Sequence, residues 1–245
     1  MSRVRLWGAG MFLVLAPLSI LAFGPAAQRR AAEAALRLSP AALRSVLVSH
    51  RPELDRGMAE TLAELEGASQ EALVAALERE ASLPRTLAEE RAPFSRVAFH
   101  FGRAAGIVLL LNDPVSFGAD PRLGSVRADY NRYVERKLPL LVLSFDGWDT
   151  PAMDGDLEAY FRGRRASSAR YREALLTCYY PGGRRVSSDT FDDRSNAFGV
   201  AQVALSHAAS DAAKAWRRMW AAMDGDLAGT PFSGAAGATA AAGAP

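Results

Sequence analysis

His207 and Asp211 stand four residues apart, the spacing at which two side chains meet on one helix face. A histidine and a carboxylate so placed can share a metal ion or act as an acid–base pair. Lys214 continues the same face, as it would in an ordinary solvated surface pair. Little else in the chain offers chemistry. There are three histidines, His50, His100 and His207, widely separated, and one cysteine, Cys178. A lone thiol allows neither an internal disulfide nor a thiolate metal cluster. Within the apolar stretch LLTCYY it reads as a small buried side chain. His50 lies near a helix end, where a cation is favoured. His100 sits beside an apolar stripe and reads as a partnered helix histidine. Asp113, in Asn-Asp-Pro, reads as a turn or cap residue. Asp146 and Asp149 flank Trp148 in a turn-rich segment that could line a pocket, and Asp192-Asp193 reads as a cap for the last helices.

Those residues need helices to position them, and the chain reads as helical almost throughout. Ala26 to Leu38 is rich in good helix formers. Ser39-Pro40 starts a second helix, with Ser39 as its N-cap, and Arg51-Pro52 punctuates the chain again before Glu53 to Glu66. Ser69 caps a helix running to Ser82, with Glu71 in its first turn. Pro93 opens the most apolar helix, with a stripe of Phe94, Val97, Phe101, Ala104 and Val108, and it stops at Asn112-Asp113-Pro114. Pro121 to Leu138 follows. Leu140 to Phe145 is a short β-prone run inside a connecting loop. Asp156 to Tyr180 is helical up to Pro181-Gly182-Gly183, and Ser188 or Asp189 introduces the last helices. These carry the stripe Phe198, Ala201, Leu205, Ala208, Ala212, Ala215 and Met219. The expected class is all-α, a single multi-helix domain around one core.

Charge and composition bound the partners. The formal charge is +2, but residues 1 to 24 carry Arg3 and Arg5 and no acid, which leaves 27 basic and 27 acidic residues in the remainder. A neutral body argues against a nucleic-acid footprint. Arg164-Arg165 and Arg184-Arg185 read as solvated pairs. Leu6 to Phe23 is a charge-free apolar run of 18 residues after the basic start. It fits either a signal peptide or a membrane anchor, and both put the remainder outside the cytoplasm, in the periplasm or at the cell surface. If uncleaved, residues 6 to 23 make the membrane the one partner the sequence names. The division expected is an address over 1–24, a helical domain over 25–228 and a disordered Gly/Ala-rich tail over 229–245.

Ala98-Phe99-His100-Phe101-Gly102-Arg103-Ala104, then Asn112, then Pro114, form a pattern with fixed internal spacing. It resembles, without a gap, the central helix of the zinc-dependent phospholipase C and single-strand-specific nuclease superfamily, roughly AFYLGRAxHxxGDLNxPxH. Those proteins are all-helical secreted hydrolases that cleave phosphodiesters with a three-zinc cluster. Weaker similarities extend the resemblance from about Phe23 to Phe232, including the closing helix through Ala215-Trp216-Arg217-Arg218-Met219-Trp220. On this register the family's first His falls on Gly106, its Asp on Leu110 and the His after the proline on Ser116. Arg127 stands for another His and Asn131 for a Glu. At the N-terminus Phe23-Gly24 takes the place of the family's Trp-Gly, and Gln28 that of a His.

The substitutions are systematic. Zinc sites use His, Cys and carboxylates, the family's cluster implies about five histidines, and this chain has three. The expectation is therefore a domain that keeps the family's shape without its metal site: no catalytic residue, no cofactor and no metal ligand is assigned. It would bind or scaffold, with protein or lipid as the undetermined partner. The alternative is a metal-dependent phosphoester hydrolase with re-sited ligands at Asp113, Asp129, His207 and Asp211. Arg103 and Arg127 with Asp113 and Asp129 are expected to form a buried ion network where zinc sits in the family.

Overall fold

The computed structural model describes residues 23–116, 120–148 and 155–233. The expected address falls almost wholly outside these residues, as does the tail from residue 234. Within them lie eight α-helices and no strand: α1 (Pro25–Leu38), α2 (Ala41–Ser49), α3 (Arg51–Glu64), α4 (Gln70–Glu89), α5 (Phe94–Asn112), α6 (Pro121–Lys137), α7 (Leu157–Tyr179) and α8 (Asn196–Ala221). The all-α class read from the sequence is the class observed.

Local signals set most helix starts. Prolines open α1, α3 and α6, where the missing N–H costs nothing. Ser69, Asp120, Asp156 and Ser195 accept hydrogen bonds from the first-turn amides of α4, α6, α7 and α8. Three expectations are corrected. Ser39 does not cap α2; its Oγ donates to the Ala35 carbonyl at 2.9 Å and its N–H to Leu36, closing α1. α4 runs past Ser82 to Glu89 with Pro84 inside it, because burial of Pro84 and Leu87 offsets the lost backbone bond. The last helix starts at Asn196 with Ser195 as its N-cap; the Asp192 carboxylate accepts from the Arg194 amide in the preceding turn and caps no helix, and Ser188–Thr190 is a single 3-10 turn.

α5 and α8 form the centre. α5 packs on α3, α4 and α8, while α8 also packs on α1 and α7. Trp216, Tyr130, Tyr133, Tyr179, Phe101 and Phe161 are fully buried. The α8 side chain Trp216 donates its indole N–H to the Phe101 carbonyl of α5 at 2.8 Å, fixing the two helices against one another. α5 is long and apolar enough to cross a bilayer, but most of it is buried in this core.

α3 and α5 meet at backbone distance. A Cβ built on Gly57 would lie 2.1 Å from the Phe99 carbonyl oxygen, and one built on Gly102 would lie 2.0 Å from that of Leu54. At Gly106 the nearest atoms would be the Met58 oxygen at 2.9 Å and Thr61 Cβ at 3.0 Å. Only glycine permits this approach. Gly102→Ala is expected to lower stability by at least about 2 kcal/mol, read as a shift of the urea midpoint; an unchanged midpoint would show that the crossing relaxes.

Candidate functional site

The most polar part of the interior gathers around Asp211, which is fully buried on α8. Its Oδ1 accepts from the Tyr160 hydroxyl at 2.5 Å and from the Arg164 guanidinium at 2.8 Å, both on α7. Its Oδ2 accepts from the Asn112 amide, at the end of α5, at 3.1 Å. Arg164 also pairs with Asp146, and Lys214 reaches that same carboxylate at 2.6 Å. Two carboxylates therefore face two cations, and the Tyr160 ring lies under both, 5.1 Å from Arg164 and 5.9 Å from Lys214.

The electrostatics agree with this closed arrangement. Burial alone would raise the Asp146 carboxyl, but the Lys214 and Arg164 hydrogen bonds hold it below its ordinary range. Burial and the Asp211 charge push the Tyr160 hydroxyl far up, so it stays a donor. Desolvation would lower Arg164, but Asp211 overcomes it and fixes the charge.

Asp146 reaches this cluster on an extended strap, residues 141–147, not on a sheet. Its backbone is held by α8: Ser206 Oγ accepts from the Ser144 amide at 3.1 Å and Ser210 Oγ from the Asp146 amide at 3.4 Å. The β-prone run was expected; its serine partners were not. Trp148 next to it donates to the Pro231 carbonyl at 2.6 Å. Residues 229–233 are thus tied down, which corrects the reading of a disordered tail from Gly229. Asp149 lies outside the described residues.

The other polar residues form separate groups. Glu80 accepts from Arg103 and meets His100 Nδ1, each at 2.7 Å, and Arg103 also pairs with Glu64. His100 is therefore a partnered helix histidine. Asp129 accepts from the Tyr179 hydroxyl and the Ser188 amide, both at 2.9 Å. Asp113 accepts from Ser116 Oγ at 2.5 Å and the Val115 amide at 3.0 Å; its burial raises the carboxyl despite those bonds. Arg127 donates to the Val115 carbonyl at 3.0 Å and lies 3.5 Å from Glu66. The single network expected of Arg103, Arg127, Asp113 and Asp129 is thus corrected. Only Arg127 and Asp113 are neighbours, because α3 and α4 supply acids that claim Arg103 first. The buried network lies instead at Asp211, and Arg164, read as a solvated charge, is its hub.

The positions singled out by the family register are filled or occupied. Gly106 abuts α3 with no room for a side chain, and Leu110 is 2% exposed in the core. The Gln28 amide donates to the Phe23 carbonyl at 3.0 Å. Asp113, Asp129, His207 and Asp211 do not converge; among the described residues no three His, Cys, Asp or Glu side chains are placed to hold a metal. The residues present do not fit a three-zinc cluster. No protein-family model, no curated protein and no solved structure matches the chain.

His207, one turn from Asp211, is half-buried with its ring 6.4 Å from that of Tyr171. Burial, then the positive charge of Arg164, push its imidazole below the ordinary 6.5. The unfolded chain therefore takes a proton near pH 6.5 that the folded chain resists, so stability falls as pH drops through that range. His207→Gln should flatten the stability profile between about pH 7.5 and pH 5; a profile matching the parent would remove His207 as the cause. Asp211→Asn leaves Arg164 half-partnered and should cost about 3 kcal/mol in urea unfolding.

Proposed function

We propose that this chain is an exported or membrane-anchored helical domain, similar in plan to the zinc-dependent phospholipase C and nuclease superfamily, that works without catalysis by binding or scaffolding. The observation that carries this reading is steric. Where the register requires the first metal-binding histidine, Gly106 is pressed against α3, and a Cβ there would already sit 2.9 Å from the Met58 oxygen. Leu110, at the position of the family's Asp, is buried apolar surface. A metal-activated water and a clamp for phosphate charge need ligands that converge on a space, and here that space is packed.

Charge supports the same reading. The buried Asp211 and the Asp146 carboxylate beside it are each claimed by a cation. Such a closed set of ion pairs holds two helices, α7 and α8, and the strap together, and leaves neither of these carboxylates free for a substrate or metal. The extracytoplasmic placement rests on the basic start and the 18-residue apolar run.

Full-length protein purified in detergent, incubated with zinc and desalted, should retain much less than one zinc per chain by elemental analysis. It should hydrolyse bis(p-nitrophenyl) phosphate no faster than buffer. Stoichiometric zinc together with chelator-sensitive turnover would overturn the proposal in favour of a hydrolase with re-sited ligands.

A further inference from the structure

The face formed by α1 and the strap carries features that packing does not require. A groove of about 410 Å3 runs between them, walled by Arg30, Ala34 and Arg37 on one side and Leu141 to Phe145 on the other, with Phe232 at its end. Val142 is 67% and Phe232 73% exposed, and Leu140, just before the groove, is 55% exposed. Apolar side chains so exposed on one face mark a contact surface.

Charge is as uneven as hydropathy. α1 carries Arg29, Arg30 and Arg37 against one acid, Glu33. All three arginines are exposed, and none makes an ion pair among the described residues. Surface arginines elsewhere are paired in part, as Arg85 is with Glu89 and Arg162 with Glu158, while Arg79, Arg96, Arg184 and Arg185 make no ion pair among the described residues. α1 differs in gathering three on one helix beside the groove. Basic side chains beside protruding apolar ones are the chemistry of an anionic bilayer surface: the arginines meet the headgroups and the apolar tips enter below them.

The chain's own path leads to the same place. The apolar run Leu6 to Phe23 ends two residues before α1. The start of α1 is pinned to the end of α6: Glu135 Oε1 accepts from the Ala26 and Ala27 amides at 3.0 and 3.1 Å. The exposed Leu140 follows Glu135 by five residues. A run held in a bilayer would therefore leave the lipid beside this face.

We propose that the α1–strap face is a docking surface for an anionic membrane, with Arg30 and Arg37 engaging lipid phosphates and Leu140, Val142 and Phe232 inserted at the interface. This rests on the membrane-anchored form of the reading above. The Val142, Leu143 and Phe145 amides bond to no other described residue, so contact with lipid should be visible in their hydrogen exchange.

The test uses the full chain in nanodiscs of phosphatidylglycerol mixed with phosphatidylcholine, in nanodiscs of phosphatidylcholine alone, and in detergent. Peptides covering 140–145 should exchange at least about tenfold more slowly in the anionic discs than in the other two. Arg30→Glu with Arg37→Glu should abolish that protection while leaving exchange in α5 unchanged, which shows that the fold is intact. Equal exchange in all three environments by protein that does insert overturns the docking proposal and leaves the groove to a protein partner. Protein that fails to associate with any disc overturns the anchor reading itself.

Discussion

The contact between α3 and α5 is the constraint from which the rest of the structure follows. Gly57, Gly102 and Gly106 remove the side chains that would hold the two backbones apart. α5 is thereby pulled into the middle of the molecule, where α4 and α8 close around it. Its end delivers Asn112 to Asp211, and its Phe101 carbonyl receives Trp216. A helix so enclosed must be apolar nearly all round, which is why α5 meets the composition of a membrane span while serving as a core helix. The same closeness leaves no volume for a longer side chain at the glycines of this contact.

Polar residues in this interior compensate one another. Arg164 and Lys214 match Asp146 and Asp211, and Asn112 and Tyr160 use the remaining oxygens of Asp211. Burying charges costs several kcal/mol apiece unless each finds a partner, so the network's completeness is a condition of its being buried at all. A metal cluster solves the same problem differently, by letting cations neutralise a concentration of carboxylates. Here guanidinium and ammonium groups fixed to helices take the role of the positive charge, and they cannot exchange a ligand for water or substrate.

Much of this fold is legible in the sequence, because helix ends are local events. Pro121 with Asp120, or Ser69 with Glu71, carries its own reason for starting a helix. The stripes of α5 and α8 state which faces are buried. The buried network is not legible, because its members are local only in appearance. Arg164 sits in an Arg-Arg pair that looks like any solvated pair, and its partner Asp211 is 47 residues away. Arg103 is claimed by Glu80 from another helix, a choice made by tertiary packing that no spacing encodes. Ser39 shows the same limit at short range. Ser-Pro before a helix satisfies the rule for a cap, yet a free carbonyl one turn back offers the hydroxyl an equally good partner.

The strap at residues 141–147 poses the problem that an extended segment poses in any helical protein: backbone groups with no neighbouring strand. Ser206 and Ser210, one turn apart on α8, answer it on one side by presenting hydroxyls at the spacing of alternate strap residues. A helix face can serve one edge of an extended chain in this way, but only one. The other edge faces the groove beside α1, where its amides and its exposed valine stay in contact with solvent. Pairing Asp146 with Lys214 and Arg164 ties the far end of the strap to α8 and α7, and the buried side chain of Leu141 anchors its near end. The unpartnered edge is thus kept extended by groups that belong to the interior. That is what separates a presented surface from a loop that merely has not packed.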